Sequence, residues 1–143
     1  MSADVHDLAA RRLAAAGQRY TASRRALVER LLAADAPRTV ADIADGRELA
    51  TSSVYRNLRV LEDAGVVARI VTSGDFACFE LAEELGTHHH HLICRSCHAV
   101  ADFDVPHDVE SALHDLLDLV RTGTGFRADR HRLDLLGTCA ACS

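Results

Sequence analysis

The sequence contains no lysine; all 16 of its basic side chains are arginine. Beside so much alanine, that absence points to nucleotide composition before function. It still leaves every cationic contact to the side chain better built for bidentate contact with phosphate or guanine. No apolar run approaches the ~18 residues needed to span a membrane. The first residues lack the basic, apolar and small-residue succession of a secretory signal. The expectation is a soluble cytoplasmic protein with no membrane partner. Internal repeats are absent, and so is any low-complexity tract other than one histidine run. H-E-x-x-H and other catalytic signatures are also missing. A zinc hydrolase would need an open metal position beside a general base. His, Glu and Asp occur here without that pattern, so an enzyme is not expected.

Net positive charge is lacking too. The chain carries −5 at pH 7, which taken alone argues against a nucleic-acid partner. The distribution matters more. Residues 1–82 hold 11 Arg against 11 Asp plus Glu, whereas residues 83–143 hold 5 Arg against 10 acids. The negative excess therefore lies wholly in the second part. A chain of 143 residues makes one domain or two small ones. Two small units would each have a thin core, and a structural metal or a dimer interface would help to hold them.

What the sequence has in abundance is metal ligands. His88-His89-His90-His91-Leu92-Ile93-Cys94-Arg95-Ser96-Cys97 runs four histidines into a C-x-x-C pair, and Cys139-Ala140-Ala141-Cys142 supplies a second pair. In a reducing cytosol, five cysteines so arranged favour metal over disulfides. Two thiolates three residues apart fit one edge of a tetrahedral zinc site, and two such pairs close it. Cys94, Cys97, Cys139 and Cys142 are thus a candidate structural zinc site with no catalytic role; the bland alternative is redox or merely buried cysteines. Along a strand, alternate residues face opposite sides. His89 and His91 would point one way, His88 and His90 the other, so one run could feed two sites. The bland alternative is a solvated run of no set geometry. Further ligands would come from Cys78, Glu80, Asp102, Glu110 and His131.

Periodicity places these residues on elements. Residues 3–16 read as a helix with Val5, Leu8, Ala9, Leu13 and Ala16 on one stripe, ended by Gly17. Thr21 caps a second helix over 22–34, and Arg19, Arg24 and Arg25 cluster around its start. Pro37 breaks the chain, and Thr39 caps a short third helix. A fourth starts near Thr51, with Thr51, Ser52 and Ser53 as candidate caps and Val54, Leu58, Leu61 and Ala64 inward; Gly65 stops it. Residues 66–71 and 76–81 read as strands joined by a turn at Ser73-Gly74-Asp75. Helices followed by a hairpin describe a winged helix with the fourth helix as recognition helix. Hydroxyls and amides at its start suit phosphate, and Tyr55 and Arg56 could reach phosphate or base edges. Without context, a packed Tyr55 and a solvated Arg56 would be the default. Residues 83–87 read as a polar linker. Beyond it come strands over 88–94 and 99–103, then a helix from Pro106 to about 122 with Val109, Leu113, Leu116, Leu117 and Val120 inward. A last strand over 126–136 completes a β-β-α-β unit. The division is 1–82, a linker at 83–87, and 88–143.

Several motifs together resemble the ferric uptake regulator family of metal-dependent repressors, over nearly the whole chain. They are Arg19-Tyr20-Thr21-Ala22-Ser23-Arg24, Thr51-Ser52-Ser53-Val54-Tyr55-Arg56-Asn57-Leu58, Leu61-Glu62-Asp63-Ala64-Gly65-Val66-Val67, Phe79-Glu80-Leu81, the histidine run with its C-x-x-C, and His131 with Gly137-Thr138-Cys139-Ala140-Ala141-Cys142. The resemblance implies an α+β homodimer. An N-terminal winged-helix DNA-binding domain would bind a palindromic double-stranded operator, and a small α/β domain would dimerise and hold the four-cysteine zinc. It implies a regulatory divalent metal at Glu80, His89 and His91, with Asp102 as a further carboxylate. It implies a second site at His88, His90, Glu110 and His131, and DNA contacts from Tyr55, Arg56 and Arg24.

Two departures stand out. Many members supply a histidine to the regulatory site from the loop before the third helix, where this chain has Ala36-Pro37-Arg38-Thr39. Cys78 is the first candidate to replace it, ahead of His6. A thiolate beside two imidazoles would favour zinc, as in the zinc-uptake subgroup, over iron or manganese. Ser23 stands where proline is common. The expected function is repression of metal-uptake genes with zinc as the favoured signal; the alternatives are an iron- or manganese-responsive regulator or a peroxide sensor of the same fold.

Overall fold

The structure, a computed structural model, describes residues 2–45, 50–72 and 76–143. Helix α1 (Ser2–Ala15) is followed by α2 (Ala22–Ala33), a two-residue strand β1 (Arg38–Thr39), α3 (Val40–Ala44) and α4 (Thr51–Asp63). Side chains that answer orphan amides set two of the starts. Thr21 accepts from the Arg24 amide at 3.3 Å. Thr39 and Asp42 form a reciprocal capping box at α3. The start of α4 differs from expectation. Its N-cap is Ala50, without a side-chain hydrogen bond, so Thr51, Ser52 and Ser53 are already helical. At its other end Gly65 takes φ +74°, a left-handed conformation that a Cβ would strain. Arg12 of α1 donates to the Gly65 carbonyl and meets an orphan acceptor there.

Strands β2 (Val67–Val71) and β3 (Ala77–Leu81) follow, and the sheet order is β1-β3-β2, all antiparallel. The turn expected at residues 73–75 lies outside the described residues. The helices and this sheet enclose one apolar core built from Leu13, Leu27, Val28, Leu31, Ile43, Val54, Leu58, Leu61, Val66, Phe79 and Leu81. The arrangement is the winged helix that the hairpin signal implied, with β1 added. Two residues after a proline carry too little pattern to reveal a strand.

The expected linker is partly structured. Glu83–Leu85 forms a 3-10 turn, and Leu85 is buried in the first core. Beyond it come β4 (His90–Cys94), β5 (Val100–Phe103), α5 (His107–Thr124) and β6 (Asp134–Gly137). Central β4 pairs antiparallel with β5 and parallel with β6. The last strand is much shorter than expected, since 125–133 is irregular. The expected inward face of α5 also needs correction. No residue of α5 is buried; Val109 and Leu116 are exposed, and Leu119 is 70% exposed. In residues 88–143 the buried residues are His90, His91, Ile93 and Cys94 alone. A single copy of this unit has almost no core. Among the described residues no helix is long and apolar enough to cross a membrane.

Candidate metal centres and nucleic-acid interface

The end of β4 carries Cys94 into the turn Arg95-Ser96-Cys97, closed by the His98 amide donating to the Cys94 carbonyl at 3.0 Å. Parallel pairing sets Cys94 against Gly137 of β6, which delivers the Cys139–Cys142 turn alongside. The four sulfurs lie within 4.8 Å of one another, and Cys97 Sγ stands 3.8 Å from Cys139 Sγ. A tetrahedron with Zn–S bonds of about 2.3 Å has edges of about 3.8 Å, so the donor set fits zinc. Amides help to make a thiolate: the Cys139 N–H donates to Cys94 Sγ at 3.3 Å. With hydrogen bonds from the Cys97 and Cys139 amides leading, the Cys94 thiol is drawn down to about 6. Cys142, hydrogen-bonded to Cys139 and Cys97, is pushed up to about 12. Four thiols this close cannot all ionise without a cation between them.

The histidine run divides by side, although β4 begins only at His90. His89 and His91 meet Glu80, which reaches across from β3. His89 Nε2 lies 2.7 Å from Glu80 Oε2, and His91 Nε2 lies 3.1 Å from Glu80 Oε1. Antiparallel pairing of His91 with Asp102 brings Asp102 Oδ1 to 3.5 Å from His89 Nε2 and 3.9 Å from His91 Nε2. The other ring nitrogens are taken: His89 Nδ1 donates to the Thr87 carbonyl at 2.8 Å, and His91 Nδ1 to Asp134 at 3.1 Å. Both rings thus aim Nε2 at the same two carboxylates, the disposition of histidines that hold metal. Burial opposes charge on both rings, but hydrogen bonds to Glu80 outweigh it and raise their pKa values. The same pairing lowers Glu80 against its own burial. Asp102 is raised by burial first, then by Glu80's charge against the opposing pull of the histidines.

On the opposite side, His88, His90 and His131 converge on Glu110 of α5. Their Nε2 atoms lie 3.0, 2.8 and 2.7 Å from its oxygens. Only the His90 contact is aligned as a hydrogen bond; His88 Nε2, His131 Nε2 and Glu110 Oε1 are buried without one. Lone pairs that meet without a shared proton suit a cation at their centre. The His90 hydrogen bond, aided by the charges of His88 and His131, holds Glu110 below the usual carboxylate range. His88 Nδ1 donates to Glu83 at 2.6 Å. His131 is not on a strand but in the irregular segment before β6.

Sequence reasoning overlooked Asp134, Thr87 and Glu83, the groups that orient the rings. Asp134 meets His91 only because β6 lies parallel to β4 in that register, and no local signal carries this. Two candidates do not join a cluster. Cys78 pairs with Ile70 and Thr39 inside the first unit and is buried. It shares a strand side with Glu80, but its thiol is not among the ligand atoms gathered around that carboxylate. Burial first, then Asp42's charge, raises the Cys78 thiol. His6 hydrogen-bonds Tyr20 at 2.6 Å inside the helical layer. Cys78→Ala is therefore expected to lower stability by about 1 kcal/mol, an ordinary point-mutation effect, and to leave metal affinity unchanged in a competition titration.

On α4, Tyr55 is half-exposed, and a cleft of about 560 Å³ is lined by Arg24, Ser53, Tyr55, Arg56, Asn57 and Arg59. Arg19, Thr51 and Ser52 are exposed beside it. Residues 15–136 match the sequence profile of the ferric uptake regulator family. The chain belongs to that family. It is therefore a metal-responsive transcriptional regulator, of a family whose members bind DNA and act as dimers. The peroxide operon regulator of Bacillus subtilis (strain 168) is 31% identical over 132 residues, covering 89% of this chain and 86% of that protein. The Vibrio cholerae ferric uptake regulator superposes with TM-score 0.67 at 27% identity, over 89% of this chain and 96% of that one. The Helicobacter pylori ferric uptake regulator reaches TM-score 0.76 over 99% of this chain and 93% of that one; at 20% identity the likeness is one of fold.

Proposed function

We propose that this family member is a cytoplasmic, homodimeric repressor in which Glu80, His89, His91 and Asp102 form the sensor of a divalent metal. Residues 1–82 form the DNA-binding unit, 83–87 the linker, and 88–143 the dimerisation unit. The observation that carries the reading is Glu80 of the wing meeting two imidazoles from beyond the linker. A divalent cation held there would supply the charge and directional bonds that keep those four side chains together. Glu80 ties the wing, while Asp134 and Thr87 fix the angle of the rings. Holding that junction closed presents two recognition helices at a spacing matched to a palindrome. The cation must favour the closed state over the open one, or nothing shifts. Cys94, Cys97, Cys139 and Cys142 hold structural zinc, and His88, His90, Glu110 and His131 form a second site. The open apolar face of α5 and the thin core beside it support a homodimer.

The preference for zinc rested on a Cys78 thiolate, and Cys78 lies apart. Two imidazoles and two carboxylates suit Zn(II), Fe(II) or Mn(II). Operator binding titrated with each metal, and with Ni(II), at buffered free concentrations tests the reading; binding that ignores all four refutes it. A second reading, a peroxide sensor, is favoured by the name of the B. subtilis relative. Hydrogen peroxide would then release DNA from the Fe(II)-loaded protein but not from the Zn(II)-loaded one. Either way protons and metal compete for the same Nε2 lone pairs. Because the His89 and His91 pKa values are raised, metal affinity should fall as pH drops through that range, by up to about tenfold per pH unit for each ring. Competition titrations at several pH values read this directly, and a flat profile would contradict the ligand assignment.

A further inference from the structure

Arg24 lies against the recognition helix in a way its neighbours do not. Its Nε donates to Asn57 Oδ1 at 3.1 Å, and its Nη1 donates to the Arg19 carbonyl at 2.6 Å and reaches Gln18 Oε1 at 3.4 Å. All these partners are neutral, and no carboxylate among the described residues pairs with it. Arg25, Arg38 and Arg69, by contrast, each face an acid. Asn57 is itself held: its Nδ2 donates to the Ser53 carbonyl at 3.0 Å, one turn back on α4. Both ends of the Asn57 amide are therefore engaged, whereas reading adenine would need both ends free. What results is a half-buried guanidinium with a full, uncompensated charge. Three hydrogen bonds already restrict its rotamers before any ligand arrives. Nη2 is engaged by none of the described residues, and the shared cleft opens beside Tyr55, Arg56 and Arg59.

We propose that Asn57 is a positioning residue that presets Arg24 as a clamp for one DNA backbone phosphate in each half-site, without touching the nucleic acid itself. The inference rests on the DNA-binding reading above. Asn57 would act on affinity and leave sequence preference alone, because a phosphate carries no base identity.

The test uses the full-length, metal-loaded protein with a duplex that the wild type selects from a randomised pool, and with a scrambled duplex. Arg24→Ala should weaken binding to both by roughly tenfold per half-site, the value of a charge-assisted hydrogen bond. It should also lower the salt-dependence slope by about one per half-site. Asn57→Ala, and Asn57→Leu as a variant of similar size, should weaken both duplexes in the same proportion. The double variant should bind no more weakly than Arg24→Ala alone. Zinc content, metal affinity and melting temperature report intact folding. The inference falls if both Asn57 variants bind like wild type, if their loss multiplies with that of Arg24→Ala, or if they change the base preferred at one position. A wild type that selects no duplex at any metal loading sinks the DNA-binding reading as well, so the two failures are distinguishable.

Discussion

Cys139→Ser is expected to cost the protein its zinc, its dimer and its DNA binding together. Residues 88–143 bury only His90, His91, Ile93 and Cys94, too little apolar surface to offset the entropy of ordering the unit. The four-thiol site joins the end of β4 to the turn after β6, and so links the unit's first strand to its last. Structural zinc in small domains binds with about 10–16 kcal/mol, as much as the whole stability of an ordinary domain. Cys139→Ser removes one of four ligands, and the exposed face of α5 should then lose the platform that presents it. Metal analysis, sedimentation and far-UV circular dichroism read the three losses. Retention of a folded dimer without zinc would disprove the structural role. Cys78→Ala, with its thiol buried in the first unit and outside the cluster, is the matched control.

Glu80→Ala should separate sensing from folding. Among the described residues its carboxylate is the one member of the proposed sensor cluster that comes from the first unit, and its two oxygens meet one ring each. Without it, His89, His91 and Asp102 remain within the second unit, and the hydrogen bonds that join them to β3 are lost. Metal affinity at that centre should drop by more than the ~10–100-fold that outer partners of a metal site are worth. Metal-dependent operator binding should vanish while zinc content and dimerisation stay intact. Glu110→Ala, on the opposite side of the run, should leave the junction with the wing in place. A Glu80→Ala protein that still answers metal would move the sensor elsewhere.

Much of this was legible in the chain. The helices of the first unit follow from apolar residues at helical spacing, and Gly65 stops α4 where its freedom at positive φ is needed. The split of the histidine run was also legible. Extended backbone alternates its side chains whether or not a ladder pairs it, so His88 and His89 take opposite sides although β4 begins after them. The paired C-x-x-C motifs announced their site because thiolate spacing is itself a local property.

Other features were decided only by the fold. Cys78 shares a strand side with Glu80 yet stays outside the cluster, because its neighbours are Thr39 and Ile70 of the first unit's own sheet. Asp134 orients the His91 ring from 43 residues away, and the parallel register of β6 on β4 leaves no trace in either strand alone. Asn57 reads from sequence as one more polar residue on α4; only the approach of α2 turns it into the support of Arg24. The apolar side of α5 looked like core and is open in a single chain, since periodicity reports that a face is apolar and not what covers it. The sequence by itself determined which residues could bind metal and which side of its own element each would take, for those are local consequences of chirality and repeat. Tertiary structure decided which of them meet, because meeting depends on register and packing between segments far apart in the chain.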